Sequence, residues 1–409
     1  MDFRAFNGLL PVAERAAKVA AVPYDVVNSE EAAALAAGND YSFLHVSRPE
    51  IDLEPGIDLH DDRVYEQAKK AFDKLTDIVP LRLDADKNYY VYRLVMNGRE
   101  QIGVFGAASA LDYRNNVIKK HEKTRQDKED DRTRHVMTLR SHTGPAFFTY
   151  RDNPAIDAAV AGVMKHPPYC DFVAPDGIRH TLYRTNPAEA AELAKLFAAV
   201  PVMYIADGHH RSAAAARTMM ECAPENPHHT GEEEYNFFLA AAFPASQLKI
   251  LPYNRAVKSL NGMAVSEFMA RVGKSFNVEE VAGQCEPERS NEFGMYIGGK
   301  WYKLTPKFDT ANLGVIGGLD VSILQDNILA PLLGINDPRT SSNIDFVGGI
   351  RGLGELEKMV RSGKYQVAFS MYPTTVDQLM AIADAGEIMP PKSTWFEPKL
   401  RDGLVCHNF

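Results

Sequence analysis

The stretch Val200–Ala223, VPVMYIADGHHRSAAAARTMMECA, decides the fold. Its first half is short and apolar, the pattern of a buried strand. Its second half is rich in alanine and other helix formers. Between them stand Asp207, Gly208, His209, His210 and Arg211. Amides at a helix start lack intrahelical partners, and the macrodipole there favours anions. Gly208 permits a tight turn and close backbone approach. Arg211 offers a fork for phosphate. Asp207 suits Mg²⁺, which takes one or two carboxylates plus phosphate oxygens. Adjacent side chains such as His209 and His210 diverge, so they are not expected to share one metal. The plain alternative makes Asp207 a helix N-cap and the histidines surface-polar. Five consecutive chemistry-bearing residues after a fully apolar strand favour a site.

Outward from this point, strands and helices alternate along the whole chain, which excludes all-α and all-β folds and predicts a mixed α/β, α+β architecture. Ser29 before EEAAALAAG reads as an N-capped helix ended by Gly38, and Asp62–Leu75 has helical periodicity. Two β-rich runs flank Asn97-Gly98, a strong hairpin signal. The run of predicted elements places boundaries near residues 103 and 251. They give an N-terminal α+β region (1–102), a central core (103–250) and a C-terminal α+β region (251–409).

The 409 residues are 45% hydrophobic and 24% charged, enough to bury large cores without disulfide or metal staples. The formal net charge of −9 disfavours nucleic acid and anionic membrane as bulk partners. Cys170, Cys222, Cys285 and Cys406 form no CxxC pair, which fits a reduced compartment. The N-terminal residues lack the uninterrupted apolar core of a signal peptide, and no run approaches a spanning helix. The expected location is the cytoplasm.

The segment 118–135 contains Ile118-Lys119-Lys120-His121-Glu122-Lys123-Thr124-Arg125 followed by QDKEDDRTRH. By itself it reads as a solvated helix face laced with i,i+4 ion pairs. HEKTR misses the HExxH zinc pattern because Arg125 replaces the second histidine. A glutamate flanked by His, Lys and Arg suits a general base.

An apolar residue, two positions, then His-Glu, with Asp-Gly-His-His-Arg after a strand further on, resembles the ParB/sulfiredoxin-like superfamily. Within it, the likeness is to the free L-serine kinases. The whole chain resembles the bacterial and archaeal family called domain of unknown function 1015. That likeness rests on VPYDVV, NDYSFLHVSRPEID, HEKTRQDKEDDRTRH, IADGHHR, LDVSILQDNILAPLLGI and MPPKSTWFEPKLRDGL. The resemblance implies a ParB/sulfiredoxin-like core that binds phosphate at the second motif. It implies Glu122 as catalytic base, and phosphate and metal handling by Asp207, Gly208, His209, His210 and Arg211, with Asp207 holding Mg²⁺. His209 stands where sulfiredoxin has its cysteine, which argues against sulfinic-acid reduction. No helix-turn-helix follows residue 251, which argues against a partition protein.

The expected activity is therefore Mg²⁺-dependent phosphoryl transfer to a small hydroxyl metabolite, with free L-serine the leading acceptor. The donor is ATP, ADP or pyrophosphate, and the reaction could run backward from phosphoserine. The alternatives are a ParB-like nucleotide-binding regulatory module without kinase activity and a DNA-associated protein. Other candidates are Lys392, Ser393 and Thr394 as phosphate donors of hydrogen bonds, and Arg48, His121 and Thr124 as substrate contacts. Tyr24 and Asp25 could reach over the site, although a core role for Tyr24 and a capping role for Asp25 are the plainer reading. Ser141–Gly144 could line a pocket, and His180 reads as a satisfied strand residue. No Walker A sequence occurs. The flanking regions could serve donor binding, substrate choice or homodimerisation.

Overall fold

The computed structural model describes residues 1–77 and 80–409. The chain forms two compact units, one of residues 1–248 with 398–409 and one of residues 249–397. The fold is mixed α+β in both.

Among the described residues of the first unit, nine strands form the main sheet. They are β1 (Phe3–Arg4), β2 (Tyr90–Met96), β3 (Arg99–Ser109), β4 (Ile118–Lys119), β5 (Ala146–Tyr150), β6 (Cys170–Val173), β7 (Arg179–Arg184), β8 (Met203–Asp207) and β9 (Phe237–Pro244). The spatial order is β4-β8-β5-β9-β3-β2-β7-β6, with β1 beside β3. Asn97 and Gly98 both adopt positive φ, 52° and 77°, and close the β2–β3 hairpin as their sequence predicts. The core includes Phe3, Val91, Phe148, Phe197, Ile205 and Phe238. Phe197 sets its ring edge-on against Phe3 at 4.9 Å.

The expected boundary near 103 falls inside strand β3, so the chain does not divide there. Two glycines of this strand are fitted to aromatic neighbours. A Cβ on Gly103 would lie 2.6 Å from the Phe243 ring, and one on Gly106 would lie 2.5 Å from that of Phe3. The helix Ser29–Ala36 is capped by Asn28, which forms a reciprocal box with Glu31, and Ser29 is its first helical residue.

Residues 398–409 also depart from the expected C-terminal region. They join the first unit, where Cys406–Asn408 pairs between Gly8–Pro11 and Ser141–His142. Ala21 and Asp402 exchange two backbone hydrogen bonds. All four cysteines are free and buried. Among the described residues, no helix is long and apolar enough to cross a membrane.

The second unit holds a six-stranded antiparallel sheet among its described residues. Its strands are β10 (Tyr253–Val257), β11 (Phe276–Val281), β12 (Phe293–Ile297), β13 (Lys300–Pro306), β14 (Ile344–Gly348) and β15 (Val367–Met371), ordered β11-β13-β12-β15-β10-β14.

Candidate functional site

The topology brings the two sequence motifs together. Strands β4 and β8 are parallel neighbours, so the loops that leave them emerge at the same end of the sheet. The loop after β4 carries His121, Glu122 and Thr124 and enters the helix Gln126–Leu139. The turn after β8 carries Asp207 and Gly208 and enters the helix His209–Glu225.

Gly208 has φ +88°, and a Cβ there would sit 3.3 Å from the Ala146 Cα. A side chain is therefore disfavoured by backbone conformation and by space alike. No side chain caps the helix that follows, so its first amides keep their anion-binding capacity. Asp207 is not that cap: Oδ1 accepts the Gly208 N–H at 2.8 Å, and Oδ2 accepts the Lys399 ammonium at 2.7 Å. Burial would raise the Asp207 pKa, but the charge and hydrogen bond of Lys399, then the charge of Arg211, hold it well below the usual carboxylate range.

His121 and His209 are buried, with perpendicular rings 4.4 Å apart. Burial pushes His121 down to about 4, and burial with the neighbouring His121 pushes His209 well below its ordinary value. Both are neutral at neutral pH. His209 Nδ1 lies 3.5 Å from Oε2 of Glu122, whose side chain is 47% exposed. His210 Nε2 accepts the Arg125 backbone N–H at 3.2 Å, which ties the two loops together.

Arg211 donates to the Pro145 carbonyl at 2.8 Å and lies 3.5 Å from Asp402 and 3.7 Å from Asp25. Burial opposes its charge, yet Asp402, Asp25 and Tyr24 outweigh burial and raise its pKa. The Tyr24 ring lies 5.3 Å from the Arg211 guanidinium and 4.1 Å from that of Arg132. Asp402 is buried, and burial pushes its carboxyl up to about 6 against the pull of Arg211. A Cβ on Gly144 would meet Asp402 Oδ1 at 2.5 Å, so this glycine makes room for the Arg211–Asp402 pair. A small cleft between Pro23, Asp25, Asp207, Gly208, Arg211 and Lys399 collects these groups.

Several sequence expectations resolve differently. Tyr24 and Asp25 reach the site, and Asp25 caps no helix there. Arg48 pairs with Glu50 and donates to Ser29 and the Tyr24 carbonyl, so it braces the Tyr24 segment. Thr124 donates to Glu129. His121 is buried and packs on His209. Lys392, Ser393 and Thr394 belong to the second unit, where the Ser393 hydroxyl donates to the Pro390 carbonyl at 2.6 Å. His180 lies between Tyr92 and Arg401, satisfied as expected. Lys399 and Asp402 were not singled out from the sequence. Their one signal is the PKLRDGL stretch, which marks the tail without indicating what it touches.

The chain belongs to the family described as "Protein of unknown function (DUF1015)", whose model matches residues 3–322. No curated protein matches it. Among solved structures, it is 16% identical to a free serine kinase in complex with AMP, over 72% of this chain and 86% of that one, with a TM-score of 0.34. A conserved hypothetical protein from Pyrococcus furiosus matches at 16% identity over 73% of this chain and 93% of that one, TM-score 0.34. SbnI with a C-terminal truncation, from Staphylococcus aureus, matches at 9% identity over 73% and 85%, TM-score 0.38. At such values the likeness carries nothing about chemistry, and function rests on the geometry of the site.

Proposed function

We propose that the first unit transfers a phosphoryl group to the hydroxyl of a small metabolite, free L-serine being the leading acceptor. The observation that carries this reading is the convergence of Glu122 with the uncapped DGHHR helix entrance. Phosphoryl transfer needs a base near the acceptor oxygen and positive charge around the transferred group. Glu122 is a half-exposed carboxylate beside His209 at the helix entrance; Arg211, Lys399 and the first amides of the helix supply the charge and donors.

The acceptor oxygen bonds to the terminal phosphorus while the bond from that phosphorus to its bridging oxygen breaks. The hydroxyl proton passes to Glu122. ATP would leave as ADP, ADP as AMP, and pyrophosphate as orthophosphate. His121 and His209, held neutral, shape the wall behind Glu122 without adding positive charge.

Mg²⁺ is part of the proposal. Among the described residues, no three His, Cys, Asp or Glu side chains converge into a metal cage. A metal held by one carboxylate and donor phosphates suits this donor set, and Asp207 would be that carboxylate. The ion would neutralise phosphate charge.

Purified protein is incubated with serine, Mg²⁺ and each donor in turn and followed by phosphorus NMR. Phosphoserine is expected with at least one donor. Its absence with all three, together with no transfer back from phosphoserine, overturns the proposal; nucleotide binding without transfer would favour the regulatory module. Glu122→Gln should lower turnover by about 10²–10⁴-fold, the usual worth of a general base. Full turnover in that variant removes Glu122 from the role.

A further inference from the structure

The second unit buries an arginine that no carboxylate among the described residues neutralises. Arg255 lies in the middle of β10 and is 3% exposed. Its guanidinium donates to the Tyr253 carbonyl and, at 3.1 Å, to that of Lys392. It lies 5.3 Å from the ring of Phe346, its cross-strand partner on β14. Among the described residues, no Asp or Glu forms an ion pair with it. Burial lowers its pKa to about 10, which still leaves it charged at neutral pH. A buried charge is costly without a counter-charge. Backbone carbonyls take two of its five N–H groups and bring no negative charge.

The missing counter-charge has a place to sit. Arg255 lines a cavity of about 340 Å³, within the size range of small-ligand sites. Val321, Leu329, Phe346, Pro390 and Pro391 provide apolar wall. Leu329 ends a π-helical turn, Gln325–Leu329, an irregularity found often where helices line sites. Val321, Gln325 and Leu329 of the stretch LDVSILQDNILAPLLGI and the Pro390-Pro391 pair thus line one space together with Arg255.

The charge balance selects the ligand class. The cavity's other cation, Arg339, is matched by Asp337 at 3.3 Å. Gln325 donates its amide to the Ile335 carbonyl at 2.7 Å and is neutral. One uncompensated positive charge remains, on a guanidinium whose planar fork matches a carboxylate. A phosphate monoester, near −2 at neutral pH, would leave one negative charge buried and unmatched. We propose that this cavity binds a small organic monocarboxylate, with its carboxylate on Arg255 and its aliphatic body against Val321, Leu329 and Phe346.

The test is isothermal titration calorimetry on the full chain with 4-methylpentanoate, its neutral amide and inorganic phosphate. Saturable binding of one carboxylate per chain is expected, with none from the amide or phosphate. Arg255→Lys keeps the charge but loses the fork, and should weaken binding by about tenfold or more. Leu329→Phe grows into the cavity from an apolar wall and should block the carboxylate even if the arginine variant fails to fold. Equal binding of acid and amide, preference for phosphate, or unchanged binding in a folded Leu329→Phe protein would overturn the assignment. So would the absence of saturable binding across linear and branched carboxylates up to the millimolar range.

Discussion

Lys399 is where a single side chain bears most on the proposed chemistry. Its ammonium holds Asp207 at 2.7 Å, and its side chain is only 15% exposed. It stands in the same cleft as Arg211 and the helix entrance. Charged hydrogen bonds are worth about 1.5–3 kcal/mol, or about 10- to 100-fold in an equilibrium constant. Lys399→Met should therefore raise the KM for the phosphate donor by about that factor while leaving the KM for the acceptor nearly unchanged. Steady-state kinetics with each substrate varied in turn checks this. A variant that melts earlier but keeps the donor KM would reduce Lys399 to a structural role. Lys399 was not legible beforehand because it lies 192 positions from Asp207. Local periodicity carries no information about a tail that returns to an earlier part of the chain. The DGHHR residues were legible because their chemistry is contiguous and their setting, strand then helix, is written in the same stretch.

At the scale of an element, the decisive one is the β8–Gly208–helix turn. Its parts were readable as an apolar run, a glycine and an alanine-rich segment. Its closeness to the His121-Glu122 loop followed only from β4 and β8 being parallel neighbours, which a two-residue strand such as Ile118–Lys119 hardly announces. The boundary expected near 103 falls inside one continuous strand, where Gly103 and Gly106 are receptacles for Phe243 and Phe3, contacts that only the folded chain shows. Gly208→Ala tests the turn. A left-handed φ costs an alanine about 1–2 kcal/mol. The added Cβ also meets backbone, which has little freedom to move away. The urea midpoint should fall at unchanged m, and phosphotransfer should fall with it because Asp207 and His209 flank the hinge. An unchanged midpoint would show that the turn relaxes without strain.

At the scale of the molecule, titration separates the two units. All twelve histidines lie in residues 1–248 and 398–409, and none in 249–397. Burial lowers His121 and His135 to about 4 and His180 to about 3, and it holds His142 and His209 well below their ordinary value. Below the unfolded histidine pKa of about 6.5, the unfolded first unit binds protons that the folded one refuses, so stability falls as pH drops from there toward 4. Each such histidine contributes up to about 1.4 kcal/mol per pH unit. Asp402, raised to about 6, opposes one of them, because the folded state keeps its proton where the unfolded state loses it. The second unit has the opposite sign. Burial pushes Asp320 up to about 7, so acid favours its folded form as pH falls from 7 toward the unfolded carboxylate value. Both tryptophans, Trp301 and Trp395, are in that unit, which makes their fluorescence a report on it alone. Thermal melts at pH 7.5, 6.5 and 5.5 should therefore separate. The transition seen by far-ultraviolet circular dichroism should gain an early phase that moves down with acid, while the tryptophan transition stays or rises. Tryptophan and circular-dichroism midpoints that fall together at every pH would mean that the buried histidines do not control acid stability, or that the two units unfold as one.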